Sequence, residues 1–183
     1  MSLFSRVAKW VAVALALFIF VMVGLSRRPN AGKNEHSVVI ERPAAEVFPW
    51  LTEPYKLTRW IDGLESSTPV AGDSVVKGAK SREVILVDGK RFTLMTEIID
   101  IKRDSLLSVH ITSEPTGFTV DGLYELTPLG NGTRLRYTGH ADYVGVFTQM
   151  MEPLVTPQSQ KKVEADMKRL KDLIEAQPAS RGI

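Results

Sequence analysis

From about Leu64 to Tyr143 the chain alternates apolar and polar residues at period two, and the long segment after it repeats at helical period instead. That order constrains the fold more than any other feature. Arg82 to Val87, Asp88-Gly89 and Lys90 to Ile101 read as a hairpin around a favoured two-residue turn. Ser105 to Ser113 follows, then a turn at Pro115-Thr116-Gly117. Phe118 to Thr127 leads through Pro128 to Asn131-Gly132, and Thr133 to Tyr143 completes the run. Strands joined in succession by short turns pair antiparallel. Beyond them Phe147, Met150, Met151 and Leu154 share one helical face. After Pro157, Val163, Met167, Leu170 and Ile174 recur at i, i+4, i+7 and i+11 with charges between them, an amphipathic helix of about five turns. A curved antiparallel sheet with one long C-terminal helix buries both apolar surfaces only if the helix closes over the concave face.

Before this run, Ser37 to Glu41 reads as a strand ended by Arg42-Pro43. Ala44, Val47, Phe48 and Leu51 follow at helical spacing, with Pro49 set to kink or shorten that helix. Glu53-Pro54 breaks the chain, and Tyr55 to Ile61 reads as a second short helix. The fold class is therefore α+β, with two short helices after the first strand plugging one end of the sheet. The domain spans 36–177, and 178–183 is expected to be a disordered tail.

The N-terminus is of another kind. Trp10 to Leu25 reads WVAVALALFIFVMVGL, without a polar side chain, bracketed by Arg6 and Lys9 on one side and Arg27 and Arg28 on the other. A helix of roughly 20 such residues spans ~30 Å of hydrocarbon, with the flanking cations at the interfaces. A cleaved signal peptide is the rival reading, with Gly24-Leu25-Ser26 as its one candidate small-x-small site. Basic residues at both ends leave the side of the membrane undetermined. Residues 1–33 make up this anchor and its linker. The polar stretch 26–36, reaching at most ~36 Å if extended, keeps the domain near the bilayer, and a chain cut to begin near Asn34 is expected to fold. The segment 1–33 holds five basic residues and no acid, leaving 18 Lys and Arg against 21 Asp and Glu in the remainder. The basic pI thus belongs to the anchor, and the domain has no nucleic-acid face. With no cysteine in the chain, disulfides, thiolate metal sites and cysteine nucleophiles are excluded.

The order β-αα-β(5–6)-α resembles the SRPBCC superfamily, in a membrane-anchored bacterial form. That superfamily includes StAR-related lipid transfer domains, birch-pollen-allergen-like proteins and polyketide cyclase/dehydrase-like proteins. The residues that carry the resemblance start with Val38-Val39-Ile40-Glu41-Arg42-Pro43-Ala44-Ala45-Glu46-Val47-Phe48, then Trp50-Leu51-Thr52 and Leu57-Thr58-Arg59-Trp60. They continue with Gly78-Ala79-Lys80-Ser81-Arg82, then Gly122-Leu123-Tyr124-Glu125-Leu126-Thr127-Pro128 and Gly132-Thr133-Arg134-Leu135. The resemblance covers residues 36–177. It implies a helix-grip fold with a cavity between sheet and long helix for apolar ligands, no fixed catalytic residue, and a place at a bacterial inner membrane.

Strand alternation names the side chains that face such a cavity. One face holds Phe92, Leu94, Thr96 and Ile98; the next holds Phe118, Val120, Gly122, Tyr124 and Leu126; the last holds Leu135, Tyr137, Gly139, Ala141 and Tyr143. Of these, Phe92, Leu94, Thr96, Phe118, Gly122, Tyr124 and Tyr137 are the candidate ligand contacts. Trp60 from the second short helix and Met150, Met151, Leu154 and Met167 from the closing helix join them. Gly122 and Gly139 make room for a bend or a ligand. The same residues also suit a plain core.

Catalytic and metal chemistry find little purchase. His36 lies in the linker, His110 and His140 fall on polar faces, and His140 with Asp142 is a solvent-side pair. No His or carboxylate set has metal-ligand spacing, no nucleophile elbow is present, and no Gly-rich phosphate loop points to a cofactor. The expected function is binding of an apolar small molecule or lipid next to a membrane. A cyclase or dehydratase with Tyr124 or Tyr137 as polar handles is the second reading, and a protein-binding or chaperone-like module with a collapsed cavity the third. No oligomeric state is indicated.

Overall fold

The structure, a computed structural model, describes residues 3–26, 31–71, 75–115 and 117–178; the side chains of 3–6, 25, 26, 71, 146–151 and 154 lie outside that description. The tail expected at 178–183 falls outside it from residue 179 on.

Seven strands form one antiparallel sheet: β1 Lys33–Ile40, β2 Leu64–Ala71, β3 Lys80–Val87, β4 Lys90–Lys102, β5 Leu106–Glu114, β6 Phe118–Leu129 and β7 Gly132–Tyr143. Their order across the sheet is β1-β7-β6-β5-β4-β3-β2, so β1 and β2 are the edges. The Asp88-Gly89 turn sets the β3–β4 register, pairing Val87 with Lys90. Both turn residues have positive φ, 48° and 75°, as a type I′ turn requires.

Between β1 and β2 lie α2 Ala44–Val47, α3 Pro49–Thr52 and α4 Pro54–Trp60. The first of the two short helices read from sequence is thus divided at Pro49, whose nitrogen has no hydrogen to donate. Phe48 between the halves keeps helical angles, φ −56° and ψ −40°, so the path barely turns. These helices place Val47, Phe48, Trp50, Leu51 and Trp60 in the core. Trp60 Nε1 donates to the Trp50 carbonyl at 2.9 Å, which fixes α4 against α3.

The closing helix, α5, is one element, Val146–Glu175, with Pro153 and Pro157 inside it. Proline's fixed φ is itself helical, so each proline removes a backbone hydrogen bond without forcing the chain to leave the helix. The expected stripe is buried: Met167, Leu170 and Ile174 are at most 2% exposed, and Val163 packs partly buried beside them.

The helix is also stitched to the free edge of β1. Glu152 Oε1 accepts from Gly32 N at 3.0 Å. Gln160 both accepts from Glu35 N at 3.0 Å and donates to Glu35 O at 2.9 Å. Lys171 Nζ donates to Val39 O, and Glu175 accepts from Glu41 N at 2.7 Å. Backbone groups that would otherwise offer themselves to another strand are thereby covered. The linker is accordingly shorter than read from sequence. Residues 33–36 belong to β1, and Gly32 already bonds into the sheet through Ala141 N at 3.0 Å.

The N-terminal helix, α1 Leu3–Ser26, has 24 residues, about 36 Å at 1.5 Å per residue. Val7 to Gly24 is long and apolar enough to cross a membrane. Trp10, Val11, Val13, Leu15, Leu17, Phe18 and Phe20 are all more than half exposed, whereas Met22, near the end that meets α5, is buried.

Candidate functional site

Between the concave face of the sheet, α4 and α5 lies a cavity of two lobes, about 210 Å³ and 310 Å³. Ile61, Glu83, Ile111 and Tyr124 line both and form the waist. The smaller lobe extends toward Leu51, Leu57, Ile98, Leu107 and Val109. The larger one runs under α5 past Trp60, Leu94, Phe118, Val120, Tyr137 and Met167. The walls are mainly apolar in both.

The structure brings many of the expected residues to this lining. Trp60, Leu94, Phe118, Tyr137 and Met167 line the larger lobe, Thr96 the smaller, and Tyr124 both. Phe92 departs from the expectation. It lies near the Asp88-Gly89 end of the hairpin, 42% exposed, and lines neither lobe. Gly122 departs for a different reason. A Cβ there would sit 3.1 Å from Val109 Cγ2 and 3.3 Å from Tyr137 Cε2, so its space is already filled by protein. The Tyr137 ring likewise lies across Gly139, the cross-strand partner of Gly122. Both glycines leave room for the Tyr137 ring. Met150, Met151 and Leu154 lie outside the described side chains.

Tyr137 and Tyr124 are cross-strand neighbours with ring centroids 4.8 Å apart, tilted by 40°. Burial pushes the Tyr137 phenol up to about 12. Tyr124 is pushed well above its ordinary value, chiefly by burial and then by Tyr137, Glu83 and Asp166 nearby. Both phenols are therefore neutral hydrogen-bonding groups under ordinary conditions.

Sequence reasoning missed Glu83. It lies on β3 with Ser81 and Ile85 on the concave side, opposite Ser67 of β2 and Leu94 of β4. Its polar neighbours are hydroxyls: Ser81 Oγ at 3.4 Å and Ser67 Oγ at 3.5 Å, both long for O–H···O⁻ bonds. Thr96 Oγ1 lies close enough to favour the ionised form but makes no hydrogen bond of ordinary geometry. Burial prevails over these hydroxyls and holds the carboxyl above its ordinary value. Among the described residues no cation pairs with it. The two lysines of the lining are engaged elsewhere, Lys80 with Glu97 at 3.0 Å and Lys162 with Asp166 at 2.6 Å. The larger lobe holds a second bare acceptor, the buried Asn34 Oδ1.

By contrast, the buried Asp166 has a structural task. It accepts from Asp62 N at 3.0 Å and from Lys162, tying the α4–β2 junction to α5. The histidine pairs lie outside the cavity on exposed surface, His110 with Asp121 at 2.7 Å and His140 with Asp142 at 3.5 Å.

The fold is shared widely. A family model described as polyketide cyclase/dehydrase and lipid transport matches residues 32–175. The crystal structure of TTHA0849 from Thermus thermophilus is similar at a TM-score of 0.65 and 22% identity, over 79% of this chain and 97% of that one. Ara h 8.0201 gives 0.62 at 14% identity, over 79% and 98%. DynU16, from the dynemicin biosynthetic locus, gives 0.60 at 18% identity, over 82% of this chain and 50% of that one. Curated proteins provide no match.

Proposed function

Because the chain belongs to the polyketide cyclase/dehydrase and lipid transport family, we propose that it holds an apolar small molecule or a lipid between its sheet and α5 while α1 tethers it to a membrane. The observation that carries this reading is the two-lobed cavity. Its larger lobe reaches the lower end of the ~300–1,000 Å³ usual for ligand sites, and its walls are mainly apolar. An open cavity also counts against the collapsed, chaperone-like alternative. The tether reading draws on the exposed apolar surface of α1, which the rest of the protein leaves largely uncovered.

Native mass spectrometry of the detergent-extracted protein tests this. A bound mass of lipid or metabolite size is expected, and it should be lost in Ile111→Trp, which fills the waist. A bare chain mass, together with no binding of an apolar fluorescent probe, refutes the reading.

A cyclase- or dehydratase-like activity is the second reading, favoured by one observation: Glu83 and Tyr124 place a proton-transferring carboxyl beside a neutral phenol inside an apolar cavity. It requires turnover of a poly-β-keto substrate that is lost in Glu83→Gln.

A further inference from the structure

We propose that the cavity selects apolar amines, seating the ligand's ammonium group at Glu83 where the two lobes meet; this rests on the binding function proposed above. The geometry of the waist points there. Glu83 lines both lobes, so a group bound to it has apolar wall on either side. Its carboxyl is met by the Ser81 and Ser67 hydroxyls at 3.4 Å and 3.5 Å, with the Thr96 hydroxyl nearby, and by no cation among the described residues. A buried carboxylate in that state retains unused acceptor capacity, and a ligand ammonium supplies both the missing charge and short, charge-assisted donors.

Three further observations agree on the sign. Asn34 Oδ1 is buried in the lining of the larger lobe without a hydrogen-bond partner, and that atom can only accept. Lys80 and Lys162 of the lining are each paired with a carboxylate of their own, Glu97 and Asp166. Finally, the Tyr124–Tyr137 pair stands beside the waist, and aromatic faces attract cations. The charged acceptor of the cavity is therefore without a cation, aromatic faces stand beside it, and the lining lysines are paired with other carboxylates. An apolar acid of the same shape would bring its charge against Glu83.

Three probes of one shape separate these possibilities: 4-phenylbutylamine, 4-phenylbutanol and 4-phenylbutyrate. They are titrated calorimetrically at neutral pH into the full chain in phosphatidylcholine nanodiscs, with empty nanodiscs as blank. The amine is expected to bind roughly tenfold or more tightly than the alcohol, the advantage one charge-assisted hydrogen bond supplies. The butyrate is expected to bind weakest. Glu83→Gln should bring amine and alcohol to within about threefold of each other, Glu83→Asp should keep the amine preference, and Arg136→Ala on the convex face should leave it unchanged. Equal binding of amine and alcohol by the parent overturns the proposal and leaves the cavity's binding role standing. So does an amine preference that survives Glu83→Gln, and so does tightest binding of the butyrate. Binding of none of the three overturns the binding role and this inference together.

Discussion

Gly122 offers the sharpest test of what fills the space under α5. Replacing it with Leu adds four carbons at a place where even the first would lie 3.1 Å from Val109 Cγ2 and 3.3 Å from Tyr137 Cε2. Val109 is 8% exposed and belongs to the core, and Tyr137 packs against that core. Overpacking a dense site costs ~1–3 kcal/mol. Removing a glycine from a strand returns roughly 0.5–1 kcal/mol of that, which leaves a net loss of about 0.5–2 kcal/mol for Gly122→Leu. With a urea slope near ~2 kcal/mol per molar, the midpoint should fall by about 0.25–1 M. The cause can be checked within the same experiment. Val109→Ala costs stability alone, yet in the Gly122→Leu background it removes the collision. The double variant should therefore be more stable than the sum of the two losses by at least ~0.5 kcal/mol. If Gly122→Leu stays within ~0.5 kcal/mol of the parent, or if the two losses simply add, Gly122 borders empty space and the packing argument fails.

Leu170 is fully buried at the centre of the α5 stripe, so Leu170→Ala should cost ~2–5 kcal/mol by denaturant titration; a loss under ~0.5 kcal/mol would remove the stripe from the core. Burial raises the Glu83 carboxyl above its ordinary 4.5, so the folded state holds that proton more tightly than the unfolded state does. Stability from this group is then complete below the ordinary value and is lost as pH rises through the raised one. Glu83→Gln should gain on the parent across that interval in paired melts at stepped pH, and a constant difference would show that the carboxyl is well solvated. A chain beginning at Asn34 should melt below one beginning before Gly32, because it lacks the Gly32 bonds to Ala141 and Glu152; equal melting would show those bonds to be idle.

Most of the fold was legible because its signals are local and repeated. Asp88-Gly89 declares its hairpin, and Val163, Met167, Leu170 and Ile174 declare the helix face that closes the core. The inward faces of β4, β6 and β7 follow from alternation alone, which is why Leu94, Phe118, Tyr124 and Tyr137 were found. Glu83 was not legible, for a physical reason. Along Lys80 to Val87, apolar residues occupy both phases, with Val84 and Leu86 on one face and Ile85 and Val87 on the other, so hydropathy does not say which face is concave. The face is decided by pairing, Ser67 with Glu83 and Glu83 with Leu94, which a single strand's sequence does not contain. Gly122 and Gly139 misled in the opposite way: a glycine announces room, and only the Tyr137 ring says who occupies it. The ties of α5 to β1 were hidden because the side chains that hold the helix there meet partners more than a hundred positions away.

Those side-chain ties also set a timetable for biosynthesis. They join Gly32 to Glu152 and Glu41 to Glu175, separations of 120 and 134 residues. At a synthesis rate of ~5–20 residues per second, roughly 2–6 s pass between the completion of β7 at Tyr143 and that of α5 at Glu175. For that interval the strands exist without their lid, and the edge of β1 is bare. A ligand present at the site of synthesis meets an open trough, whereas one arriving later meets a trough that α5 already covers. Cargo supplied during translation and cargo added to finished protein would reach the same equilibrium at different speeds.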